Sequence, residues 1–270
     1  MNPVIIELTL RQLISKRRTL MLVLAALIPV LIAVAYRLAA DTDFTISQDG
    51  IHSAHQEWAA STLLANLVLA TLLPLAALVF GTAALGSEIE DGTAVYLLSK
   101  PIPRWKVLVS KLLVAWLITA AFITAVTVAG GAIALAGQPT ELTRSSGDVI
   151  NVGSGYGIIF GFAVATIVGS LVYAAVFVSL SVATSRALVV GLIYVFLWEG
   201  VVTRLFTGTR VFSVRQYTFA LAEELSGVAP GVFEARLGFS AAVLMVVLVT
   251  AAAVWYGVQR LQRFEIGEAA

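Results

Sequence analysis

The chain has 270 residues, of which 59% are hydrophobic and 12% charged, a larger apolar share than the roughly half usual in soluble domains. Its formal net charge of +1 gives no reason to expect a nucleic-acid partner, and the absence of cysteine excludes disulfides, thiolate nucleophiles and cysteine metal sites. The charges cluster between nearly uncharged runs of about 17 to 28 residues, long enough to cross ~30 Å of hydrocarbon, so an all-α membrane protein with one transmembrane domain over residues 1–270 is expected.

In chain order, Val4, Ile5, Leu8, Leu13 and Ile14 alternate with Glu7, Arg11 and Gln12 before the basic Lys16-Arg17-Arg18. An apolar face beside a basic one predicts a helix lying in the headgroup region. The basic group precedes an apolar run in which Ala33-Val34-Ala35 resembles a signal-peptide cleavage site. Because that basic group starts far into the chain, a retained span is expected. The first span is predicted over 20–36, with Pro29 inside it, and Arg37 closes it. A polar, mostly acidic loop leads to the second span at 59–85, which carries Pro74.

The third span is expected over 107–136, and the fourth over 156–183 after a loop holding Gly137, Pro139, Glu141, Arg144 and Asp148. Thr184-Ser185-Arg186 turns the chain into a fifth span at 187–206, and the sixth is expected over 237–256. Between the last two lies the longest polar segment, 207–236, with a short helix expected from Val214 to Leu225. Six spans put both termini on one side. With the N-terminus inside, the inner segments carry eleven cations, including every lysine, and the outer ones six, which by the positive-inside rule makes the termini cytoplasmic.

The stretch Ser87 to Lys111 then falls on the cytoplasmic side. Ser87 and Glu90 stand at capping-box spacing, Gly92-Thr93 allows a turn, and Ala94 to Ser99 can form a short helix along the membrane. Pro101 and Pro103 end that helix, since each lacks an amide proton and restricts the residue before it. Arg104, Lys106 and Lys111 are expected to anchor the next span at anionic headgroups. Composition alone equally allows an ordinary loop. The order of Glu88, Glu90, Gly92, Thr93, the apolar Val95, Tyr96, Leu97 and Leu98, then Pro101, Arg104 and Lys111, resembles the first cytoplasmic loop of ABC-2 type transporter permeases.

That resemblance implies an interfacial N-terminal helix, six spans, extra structure between spans five and six, and a coupling helix between spans two and three. It also implies a separate ABC ATPase, in two copies, that binds the ATP and Mg, and a second permease subunit, either another copy forming a homodimer or a similar chain, in a bacterial plasma membrane. No cofactor is expected on this chain, which has no phosphate-binding Gly-x-x-x-x-Gly-Lys-Ser/Thr loop. The resemblance assigns the coupling role to the residues just named and no substrate to the family member.

Three further features bear on function. Glu199 is the one charge between Ala187 and Thr203, about 20 Å beyond Arg186 along a helix. A carboxylate there costs on the order of 3 kcal/mol to insert, so it calls for a hydrogen-bonded position in the bundle or a wet translocation path. Arg204, five residues on, stands some 140° away around an α-helix and is a poor partner. Gly153, Gly157, Gly161, Ala165 and Gly169 recur every four residues, and the last four predict close helix packing. His52, His55 and Glu57 could form an outer metal site, but histidines three apart in a polar loop are usually solvated, and no metal is expected.

Three other classes compete with an ATP-driven permease. A secondary transporter would use Glu199 for coupling and show inverted repeats, which are not evident. An intramembrane enzyme needs converging catalytic side chains within the spans, whereas both histidines lie outside them. A membrane scaffold subunit would need none of these features.

Overall fold

The computed structural model describes residues 17–39, 54–90, 103–137, 141–143, 149–151, 155–228, 232–233 and 235–263. Five helices among them are long and apolar enough to cross a membrane, and the protein is a multi-pass membrane protein. Helix α1 is Arg17–Ala39, running unbroken through Pro29. Helix α2 is continuous from Ala54–Trp58 through a π-wound Ala59–Leu72 into Leu73–Glu90. Helix α3 is Arg104–Leu135, α4 is Tyr156–Ala183 and α7 is Phe239–Gln262.

The fifth expected span, 187–206, coincides with a helix whose apolar stretch is shorter. Helix α5 begins as Ala187–Ile193, becomes π-wound over Tyr194–Val202 and ends at Thr203–Leu205, and its apolar stretch covers only Ala187–Val202. Sixteen residues at 1.5 Å each reach about 24 Å, short of the hydrocarbon thickness. The uncharged run thus locates this helix, which is the shortest of the six apolar ones among the described residues. A 3₁₀ turn, Thr207–Phe212, then leads into α6, Val214–Ser226.

Helix α6 lies within one residue of the helix expected in the polar segment, but its surroundings are not those of an outer loop. Ten of its side chains are buried, Arg215, Gln216 and Thr218 among them. Helix α4 occupies the middle of the bundle and packs most heavily against α6, α2, α3 and α7. Small residues allow this. A Cβ on Gly161 would lie 2.7 Å from the backbone of Leu225 and Ser226, and one on Gly169 would overlap Thr218. Ala165 between them is fully buried, whereas Gly157 would meet α6 only at an ordinary 3.4 Å. The neighbour along this face is therefore α6 of the same chain.

Two local expectations need correction. Ser87 to Glu90 do not start a new helix, because α2 continues through them. Gly86 packs closely on α4, where a Cβ would stand 3.3 Å from Ser181 Cβ. In the loop before α4, Glu141–Thr143 (β1) and Val149–Asn151 (β2) pair antiparallel. The expected interfacial helix at 4–14 and the coupling helix at 94–99 lie outside the described residues.

Candidate functional site

Glu199 is 2% exposed and holds three helices together. Its Oε2 accepts the Tyr173 hydroxyl from α4. Its Oε1 accepts the Tyr194 hydroxyl at 3.2 Å and the backbone N–H of Val214, the first residue of α6, at 3.1 Å. Helix α6 presents four amides without intrahelical partners at this end, and its N-terminus carries partial positive charge, so a carboxylate is suited to the position. Ser213 precedes the helix as a standard capping residue would, yet no side-chain cap bond comes from it and its hydroxyl is buried without a partner among the described residues. Glu199, fifteen residues earlier in the chain, takes the role.

The bond from Tyr194 depends on the winding of α5. Tyr194 lies five residues before Glu199, the spacing that made Arg204 a poor partner on an α-helix. In a π-helix residues five apart align, because hydrogen bonds run between residues i and i+5. The π-wound part of α2 follows the same rule. Asn66 Nδ2 donates to Ser61 O at 2.8 Å and Thr71 Oγ1 to Asn66 O at 2.9 Å, both five residues back. In the α-wound helices the hydroxyls of Thr82, Thr119, Thr127 and Thr166 reach four back instead.

The two π-wound segments face each other across a cavity of about 320 Å³. Helix α2 contributes Asn66, Ala70, Thr71 and Leu75, α5 contributes Val195, Phe196, Glu199 and Gly200, and α6 contributes Arg215. Arg215 is buried with its guanidinium carbon 5.7 Å from the Phe219 ring centre, and its charge acts on the Glu199 carboxylate. The cavity thus brings together an amide, a hydroxyl, a carboxylate and a guanidinium among apolar wall residues. π-Helical turns are frequent at functional sites because they displace side chains from the regular register. Sequence reading found Glu199 but none of Tyr173, Tyr194, Asn66, Thr71 and Arg215, which carry no motif. The polar character of Asn66 and Arg215 was the only signal.

At the start of α3, two of the three cations bond to the backbone of neighbouring helices. Lys111 is 1% exposed, and its Nζ donates to Ala84 O on α2 at 2.7 Å, so it does not reach the headgroups as expected. Arg104 Nη1 donates to Leu261 O at 2.7 Å and Gln262 O at 2.8 Å, the last carbonyls of α7. Lys106 is exposed and lies 5.5 Å from the Trp105 ring centre. Of the other residues proposed for coupling, Glu88 and Glu90 end α2, while Gly92, Thr93, Val95, Tyr96, Leu97, Leu98 and Pro101 lie outside the described residues.

On the remaining face, His55 Nδ1 shares a 2.7 Å hydrogen bond with the Tyr36 hydroxyl, and Tyr36 stacks on Trp58 with ring centres 3.6 Å apart. Among the described residues no three histidine or acidic side chains converge as metal ligands do.

Comparison with known families places residues 4–258 in a family model described as ABC-2 family transporter protein. A search of curated proteins gives no match.

Proposed function

Because the chain belongs to the ABC-2 transporter family, we propose that it is the permease subunit of an ATP-driven transporter in a bacterial plasma membrane. The observation that carries this reading is the family match, which spans four of the five long helices, most of the fifth and both π-wound segments. A separate ABC ATPase, in two copies, binds ATP and Mg and supplies the energy, and a second copy of this chain completes the membrane part. The excess of cations on the inner side supports cytoplasmic termini, which puts the connection between α2 and α3 within reach of the ATPase. Val95 to Leu98 supply an apolar patch for a groove on that partner. A conformational equilibrium in the membrane shifts only if the ATPase states contact this segment differently.

The cavity between α2 and α5 lies on the substrate path in this reading. Its lining of one amide, one hydroxyl, one carboxylate and one guanidinium beside apolar residues suits an orienting site better than a plain packing defect, which would be apolar. Glu199 has a double role, holding α6 in place and setting the charge of the cavity wall.

Affinity isolation in mild detergent tests the proposal. An ATP-binding protein should copurify with the wild-type chain and be lost when Val95 to Leu98 are replaced by serine. Absence of such a partner, or binding that survives the replacement, refutes the coupling role. For the cavity, Glu199→Gln should assemble normally with the ATPase but change the ATP hydrolysis rate of the complex in lipid vesicles. Normal assembly with unchanged hydrolysis and transport removes Glu199 from the path.

A further inference from the structure

Helix α7 packs along α4 and α6 and is tied by side-chain hydrogen bonds at its C-terminal end. Its only buried side chains are Ala242, Gly257 and Leu261, and two of these three lie in its last two turns, beside the start of α3. There a Cβ on Gly257 would meet Ser179 Oγ at 2.7 Å and Leu108 Cδ2 at 3.1 Å. Ser179 Oγ donates to Ala253 O at 2.6 Å, and Arg104 closes the contact by donating to Leu261 O and Gln262 O. The other face of α7 presents large apolar side chains outward, Leu244, Val247 and Trp255 among them, while Met245, Val246 and Val249 pack against the core.

The same part of α3 is fixed to α2. Lys111, two turns after Arg104, donates to Ala84 O, and burying an ammonium group is unfavourable unless its hydrogen bonds are made. Helix α3 therefore starts between two helices and bonds to the backbone of each. The connection 91–102 joins the end of α2 to this start, so any displacement of that connection arrives first at Arg104 and Lys111.

We propose that Arg104 is a positioning residue that makes the end of α7 follow α3, so that a push on the α2–α3 connection is delivered to the last span. This rests on the permease reading above. Backbone carbonyls as acceptors suit such a tie. The last carbonyls of a helix lack intrahelical partners and carry the negative end of the helix dipole, so the Arg104 fork holds α7 at a fixed point without needing a particular side chain there.

The chain has no cysteine, so cysteines placed at exposed Lys106 and Arg263 give two unique sites for spin labels. Distances between them are measured on the full-length chain in lipid nanodiscs, alone and then with its copurified ATPase plus Mg and a non-hydrolysable ATP analogue. The expected result is one narrow distance distribution, unchanged by nucleotide. With Arg104→Gln added it should broaden and become nucleotide-dependent, with several-fold less ATP-driven transport per ATP hydrolysed, while Arg104→Lys restores part of the narrow distribution. Should Arg104→Gln not assemble, Arg104→Lys alone is compared with the wild type, and a broader, nucleotide-dependent distribution is then expected. A wild-type distance that shifts with nucleotide overturns the proposal, as does an Arg104 variant that leaves the distribution unchanged. If no ATPase copurifies, the permease reading fails, and the nucleotide-free distributions still decide whether Arg104 holds α7 to α3.

Discussion

The Glu199 cluster and the Arg104–Lys111 cluster solve one electrostatic problem with opposite signs. In the first an anion meets the start of α6, and in the second a cation meets the finish of α7. Each charge is placed where the helix dipole favours it. They differ in what surrounds them. Glu199 is enclosed and has a cavity beside it, whereas Arg104 is partly exposed and has close-packed helices beside it. The first arrangement leaves room for a ligand, and the second leaves room only for rigid motion.

Substitutions can break this contrast, and Gly161→Val should have the largest effect. Its side chain would run into the backbone of Leu225 and Ser226, which has no rotamer by which to yield, so α6 is displaced from α4. The expected outcome is loss of a monodisperse peak in detergent gel filtration. A normal elution profile would show that α6 does not need this close approach.

Glu199→Ala should come next, since it leaves two phenol hydroxyls and one amide buried without their acceptor. Each buried donor left without its acceptor costs about 1–3 kcal/mol, and thermal unfolding in detergent should show a correspondingly large drop in Tm. Tyr194→Phe removes one of the three donors and should cost about 1–2 kcal/mol. A cost near zero would mean that the five-residue bond in the π-wound segment holds little, and that the cavity wall is less fixed than the carboxylate makes it.

Arg104→Gln should have the smallest effect on stability, about 1 kcal/mol, because water competes for a partly exposed hydrogen bond. Comparison of its Tm with that of Glu199→Ala tests the contrast directly. If the two losses are equal, enclosure does not separate the clusters. A small change in Tm beside a large change in coupling is the combination expected of a tie that transmits motion.

Much of the architecture can be read from the order of the residues, because uncharged runs of sufficient length have few alternatives in lipid. Helices α1, α2, α3, α4 and α7 lie where those runs lie. The short helix in the polar segment was also legible, but its burial was not, since Arg215, Gln216 and Thr218 have the composition of a solvated surface. Lys111 misled in the same way. Its place at the entry of a span predicts a headgroup anchor, and only the approach of α2 gives it a backbone partner. The capping-box spacing of Ser87 and Glu90 failed because it is a local signal, and the packing of Gly86 against α4 outweighs it.

The candidate site was legible as a single residue. An isolated carboxylate in an apolar run marks a place that needs compensation, and Glu199 has it. Its partners could not be found by counting around an α-helix, because the segment that carries it is wound differently. Residues five apart were assigned to separate faces, and in a π-helix they share one.

That winding has a consequence for how the cavity can change. A π-helical segment holds its residues one position out of step with the α-helix that continues beyond it, and rewinding shifts the register by whole residues. Each residue of slip turns the segment by about 100°. Asn66 and Thr71 on one wall and Glu199 on the other both stand on such segments. A screw-like slip in either would therefore exchange a polar wall for an apolar one while the helix axes stay where they are.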